Sequence, residues 1–189
     1  GIVCFSLSAE IHSKQSIACS RMFGRATTCL QDLLEAAASY AAKAAIKLRK
    51  SQLLASSVFV YLTQVREQGT RSLRLFCVEP TDYTPALIYA ARQAVNSLFR
   101  EGRTYKKVGV VMEGLVPKMN VQKDLFGTTE EDNRRQNQAM QLMDSINRKM
   151  GRDTLIFAAE GFEKKWRMRQ NLRSPRFTTR WEEILKIRV

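Results

Sequence analysis

From Leu30 to Leu48 the chain returns to an apolar residue every three or four positions. Leu30, Leu33, Leu34, Ala37, Ala38, Ala41, Ala44, Ala45 and Leu48 lie on one side of a helix for about five turns. Most of that stripe is alanine, so the helix can press close against what it covers, and a sheet is the simplest flat partner. Thr28 and Gln31 stand three apart, the spacing of a capping box, which predicts a helix start at Thr28. Lys43, Lys47, Arg49 and Lys50 crowd the C-terminal turns, where cations complement the helix dipole.

The surroundings of this helix fix the fold class. "QSIACSRMF" (15–23), "SSVFVYLTQV" (56–65), "RSLRLFCV" (71–78) and "YKKVGVVMEGL" (105–115) are short runs rich in β-branched or aromatic residues, and each reads as a strand. The link "EQGT" (67–70) is short enough to make the middle two an antiparallel hairpin. Thr84, as N-cap, and Pro85, at the first helical position, open a second helix that runs to about Arg100. Leu87, Ala91, Ala94, Val95 and Leu98 form its apolar stripe, and Gly102 stops it. The order β-α-β-β-α-β predicts an α+β domain over residues 14–116: a four-stranded antiparallel sheet, both helices on one face, the other face open.

Charge suggests what that open face meets. Lys and Arg number 31 against 18 Asp and Glu, a formal net charge of +13. A domain that basic commonly binds a polyanion, nucleic acid first and an anionic membrane surface second. Ser20, Arg21, Arg71, Arg74, Lys106 and Lys107 are the candidates to line the open face, with the cations contacting phosphates and Ser20 a neutral donor. No run of 18 apolar residues exists, so no helical membrane span is expected. The chain opens at Gly1 without an initiator Met or the pattern of a signal peptide, which predicts a fragment of a longer protein. Cys4, Cys19, Cys29 and Cys77 show no C-x-x-C spacing, and His12 is the single histidine. They are expected to be small buried apolar residues in a reducing cytoplasm rather than ligands or disulfides.

Beyond Pro117 the character changes. Residues 117–135 read as a charged linker, and 136–189 as a small α+β C-terminal region. "NQAMQLMDSINRKMG" (137–151) predicts a helix with Met140, Met143, Ile146, Asn147 and Met150 on one side. "TLIFAAEG" (154–161) and "KKWRMRQ" (164–170) predict a strand pair. No phosphate-binding glycine loop, dinucleotide fingerprint or nucleophile elbow is present. The adjacent acids Glu130-Glu131-Asp132 and Glu182-Glu183 read as solvated charges rather than a two-metal site. No catalytic residue, cofactor or metal site is therefore expected within this chain.

"KQSIACSRMFG" (14–24) resembles the K-x-S-I-x-x-S-R-S-F-G segment that opens the little-finger domain of Y-family translesion DNA polymerases. Trp166, Met168, Arg169, Ser174, Pro175, Thr178, Thr179, Arg180 and Trp181 resemble the W-x-M-x-R…S-P-x-Y-T-T-R-W signature of the UmuC-like branch. Met22 and Phe177 depart from these patterns, each removing a hydroxyl. The resemblance implies that 1–13 end a linker from an upstream domain, that 14–116 are the little finger, and that magnesium and its carboxylates belong to the upstream part of the parent enzyme. It also implies an error-prone, lesion-bypassing polymerase of the SOS response. Primer–template DNA, the sliding clamp, UmuD and the RecA filament are the partners it suggests.

Within the linker, Gln122-Lys123-Asp124-Leu125-Phe126 resembles the Q-L-x-L-F peptide by which bacterial polymerases hold their sliding clamp, with Lys123 in place of a leucine. Gln122 would hydrogen-bond the rim of the cleft while Leu125 and Phe126 fill its apolar pocket. The alternative is an RNA-recognition module, which shares the β-α-β-β-α-β order. It requires a strand of the form [KR]-G-[FY]-[GA]-F-V. "RSLRLFCV" carries one aromatic residue and no glycine.

Overall fold

A computed structural model describes residues 14–65, 69–120, 130–168 and 174–185. Strands β1 (Ile17–Thr27), β2 (Leu53–Gln64), β3 (Thr70–Thr81) and β4 (Tyr105–Pro117) form one sheet in the order β1-β4-β2-β3. Every neighbouring pair is antiparallel. Helix α1 (Leu30–Lys50) connects β1 to β2, and α2 (Thr84–Leu98) connects β3 to β4. Each β-α-β unit is thus split by a strand of the other, which locks the two halves into one sheet. Both helices pack against each other and against the sheet. The expected α+β architecture and element order hold.

The alanine stripe explains the closeness of the layers. Leu33, Ala36, Ala37, Ala38, Ala41, Ala44, Ala45 and Leu48 are fully buried. Val58, Val60 and Leu62 of β2 and Val108, Val110 and Met112 of β4 face them from the sheet. Burial at about 25 cal/mol per Å² of apolar surface makes this helix–sheet layer the main source of stability.

The ends of α1 and α2 differ from expectation. Cys29, not Thr28, occupies the α1 N-cap position, without a side-chain capping bond. Thr27 takes over instead: its hydroxyl donates to the Asp32 carboxylate at 2.6 Å and accepts from the Cys29 N–H at 3.1 Å. Gln31 donates to Glu35 rather than reaching back. Tyr83 caps α2, and Thr84 is buried as an acceptor for the Arg49 guanidinium.

The C-terminal half diverges further. Helix α3 (Glu130–Lys149) begins inside the expected linker, its first turn formed by the acids Glu130, Glu131 and Asp132, which favour the positive end of the dipole. Of the expected stripe only Met140 is buried, while Met150 is exposed. Polar contacts hold α3 instead: Arg49 grips Asp144 at 2.7 and 2.9 Å, and Lys118 donates to Asn137. The strand pair expected at 154–161 and 164–170 is not formed in the described residues. A 3-10 turn (Ala158–Glu160) packs on α1, and Trp166 enters the first domain's core against Phe23 and Tyr40. Burying the large Trp166 ring in that core outweighed local strand preference. Of the thiols, Cys19 and Cys77 are half-buried but Cys29 is exposed, correcting the expectation of uniform burial; Cys4 lies outside the described residues.

Candidate nucleic-acid interface

Strand register decides which side chains share the face away from the helices. Ala18, Val111, Phe59 and Arg74 form one row across the sheet; Ser20, Gly109, Tyr61 and Ser72 form the next. Met22, Lys107, Thr63 and Thr70 make the third row, and Glu113, Ser57 and Phe76 extend the first side. The part of the C-terminal segment around Trp166 docks at the β1 edge and on α1, where the Gly24 N–H donates to the Trp166 carbonyl at 3.3 Å. Met22 and Phe76 are exposed on this open face, at 50% and 77%.

The centre of the face is a pair of aromatic rings, each carrying a cation. Phe59 and Tyr61 lie 6.2 Å apart, centroid to centroid. Arg74 sits over Phe59 at 5.7 Å and Lys107 over Tyr61 at 5.3 Å. Such contacts hold cationic heads in place at about 0.5–1 kcal/mol each while leaving them facing water. Gly109 is what lets Tyr61 lie flat. A Cβ there would stand 2.5 Å from the Tyr61 hydroxyl oxygen and closer still to ring carbons. Arg74 also donates to Glu113 at 2.6 Å, so its charge is half-answered within the protein.

Of the six residues expected on this face, the register brings together Ser20, Arg74 and Lys107. Arg21 pairs with the fully buried Val108 and therefore lies on the helix side, a correction. There burial pushes the Tyr40 phenol up to about 12, with the Arg21 charge pulling the other way. Arg71 pairs with the buried Leu62 and likewise belongs to the helix side. Lys106 is the extra residue of a bulge: Lys107 pairs with Thr63, Tyr105 with Gln64, and nothing pairs with Lys106. Sequence reading missed Phe59, Tyr61 and Gly109, although strict alternation in "SSVFVYLTQ" puts both rings opposite the core valines. Gln122, Leu125 and Phe126 lie outside the described residues.

On the helix side, the 3-10 turn brings Glu160 and Lys164 together at 3.7 Å, both buried. Burial pushes the Glu160 carboxyl up, while Lys164 and the Phe157 N–H pull it down. Burial also lowers the Lys43 ammonium nearby, against the pull of Asp153. Gly161, with φ +71°, lies directly against the Glu35 side chain, closing the turn on α1. Among the described residues no three His, Cys, Asp or Glu side chains converge to hold a metal ion. No helix of the described residues is long and apolar enough to cross a membrane.

Residues 14–125 match the impB/mucB/samB family C-terminal domain, and residues 137–187 match a domain of unknown function, DUF4113. The chain is 31% identical over 195 residues to protein UmuC of Salmonella typhimurium, covering 100% of this chain and 46% of that protein. It is 33% identical over 193 residues to protein MucB of Escherichia coli, covering 97% and 44%. The chain thus spans less than half the length of these relatives. Among solved structures, a Y-family DNA polymerase chimera is similar at a TM-score of 0.46 and 13% identity, over 60% of this chain and 32% of that one. The little finger domain of PolIV, solved in complex with the beta-clamp processivity factor, is similar at 0.44 and 19% identity, over 59% and 99%. The family match spans more than half of the chain and includes all four strands of the sheet. The chain belongs to the impB/mucB/samB family, of which it carries the C-terminal domain.

Proposed function

We propose that this chain is the DNA-gripping, non-catalytic part of an error-prone translesion polymerase of the SOS response. The open sheet face would lie against primer–template DNA, with Arg74 and Lys107 on backbone phosphates and Ser20 as a neutral donor. The observation that carries this reading is the pair of cations held over aromatic rings on a face that exposes Met22 and Phe76 among the described residues, in a chain of net charge +13. Contacts to phosphate carry no sequence information, which suits an enzyme that must cross bases of altered shape. Catalysis, with magnesium, then belongs to parts of the parent outside this chain.

The test is a salt titration of affinity for labelled primer–template DNA. Each phosphate neutralised adds about 0.9 to the slope of log affinity against log salt. Arg74→Gln with Lys107→Gln should therefore lower the slope by about 1.8; an affinity indifferent to salt in the unaltered chain overturns the reading. The RNA-recognition alternative is not taken forward, given the family membership and the single open-face aromatic, Phe76, of β3.

The same reading gives Gln122, Leu125 and Phe126 to the sliding clamp, with the two apolar side chains as anchors. Replacing both Leu125 and Phe126 with Ala should abolish clamp binding, and undiminished binding ends that part of the proposal. UmuD and RecA are assigned as further partners of the parent protein on the same grounds; a pull-down of each by the chain checks them.

A further inference from the structure

The helix side of the sheet carries a second concentration of positive charge, where the end of β2 lies beside the turn between α2 and β4. An open cleft there is lined by Gln64, Arg71, Arg100, Glu101 and Arg103. Among the described residues three arginines face one acid. Among the described residues none of the three makes an ion pair, and the only side-chain bond of the group is from Arg100 to its neighbour's Phe99 carbonyl. Gln64 is 6% exposed overall, and its amide, which makes no side-chain hydrogen bond among the described residues, keeps contact with solvent in the cleft. Unanswered guanidinium groups around an unpartnered amide suit a tetrahedral oxyanion, since arginine offers forked donors and the amide a further N–H.

The cleft is built rather than incidental. The Tyr105 hydroxyl accepts from the Arg100 N–H at 2.8 Å, fixing the start of the turn. The Val65 N–H donates to the Thr104 carbonyl at 2.9 Å, fixing its end. Gly102, at φ +75°, supplies the left-handed residue that turns the chain between them. The cleft lies at the same end of the sheet as the open-face cation Lys107. Lys107 pairs with Thr63 there, and the next rung pairs Tyr105 with Gln64, about 3.4 Å further along the strand.

We propose that this cleft, through Arg71, Arg100, Arg103 and Gln64, holds a backbone phosphate of the same DNA strand that Lys107 contacts, so that the grip turns the end of the sheet. This rests on the reading of the open face given above. It also gives Arg71 a phosphate to bind from the helix side, where the register puts it.

The experiment is a salt titration of the whole 189-residue chain against labelled primer–template DNA, comparing Arg71→Gln/Arg100→Gln/Arg103→Gln with Arg74→Gln/Lys107→Gln. One phosphate held in the cleft lowers the slope of the triple variant by about 0.9. Between about 50 and about 200 mM salt, the advantage of the unaltered chain over that variant then narrows by about 3.5-fold. A slope equal to that of the unaltered chain, while the open-face variant loses its share, overturns the cleft and leaves the open face standing. A salt-indifferent unaltered chain overturns both. Should the triple variant fail to fold by circular dichroism, Arg103→Gln alone, in an exposed turn, must still weaken binding measurably; affinity unchanged in that variant overturns the cleft as well.

Discussion

Glu113 offers a gain-of-function test of the open face. In the free protein its carboxylate holds Arg74 at 2.6 Å, with the two side chains 28% and 51% exposed. A phosphate approaching Arg74 must compete with that carboxylate and tolerate its charge. A pair so exposed is worth about 0.2–1 kcal/mol, because water screens it. Glu113→Gln removes the competitor while keeping size and hydrogen-bonding capacity. Affinity for primer–template DNA should rise by about 1.4- to 5-fold, the equivalent of that energy. The gain should shrink as salt is raised, since the freed guanidinium adds to counterion release. Fluorescence anisotropy at several salt concentrations measures both effects. Weaker or unchanged binding by Glu113→Gln would refute the reasoning, because a general loss of structure cannot mimic an increase.

Gly109→Ala should drive Tyr61 off the sheet and separate it from Lys107, costing about 1–2 kcal/mol of stability; urea denaturation measures the loss, and unchanged stability contradicts the packing described. Trp166→Ala should cost about 3–5 kcal/mol, since the ring fills the core beside Phe23 and Tyr40. Trp166→Phe should cost far less, because it also removes a buried indole N–H without a partner among the described residues. Glu160 gives a pH signature. Its folded pKa is raised by burial, so its contribution is fully present below the ordinary carboxylate range and is lost as pH climbs through the folded value. Thermal melts from about pH 4.5 upward should show the unaltered chain losing stability relative to Glu160→Gln; parallel curves would contradict the assignment.

Periodicity made the first domain legible. The alanine stripe of α1, the hairpin link and the β-branched runs together specify four strands and two helices, because each local pattern agrees with burial on one side of a sheet. The same periodicity could have corrected the interface. Arg71 and Arg74 are three residues apart, so in a regular strand they cannot share a face; adjacent Lys106 and Lys107 cannot either. Arg21 has the parity of Ile17 and Phe23, the two buried residues of β1. The pairing of Arg74 with Glu113 was not readable, because it depends on register across three strands. Nor was the fate of Trp166, whose partners lie more than a hundred residues earlier in the chain.

The central claim is that DNA meets the sheet on the side away from α1 and α2. Backbone amide shifts in a nuclear magnetic resonance titration with primer–template DNA test it most directly. The largest changes should fall on Ser20, Met22, Phe59, Tyr61, Arg74 and Lys107. Changes concentrated on α1 and α2, with those residues silent, would contradict it.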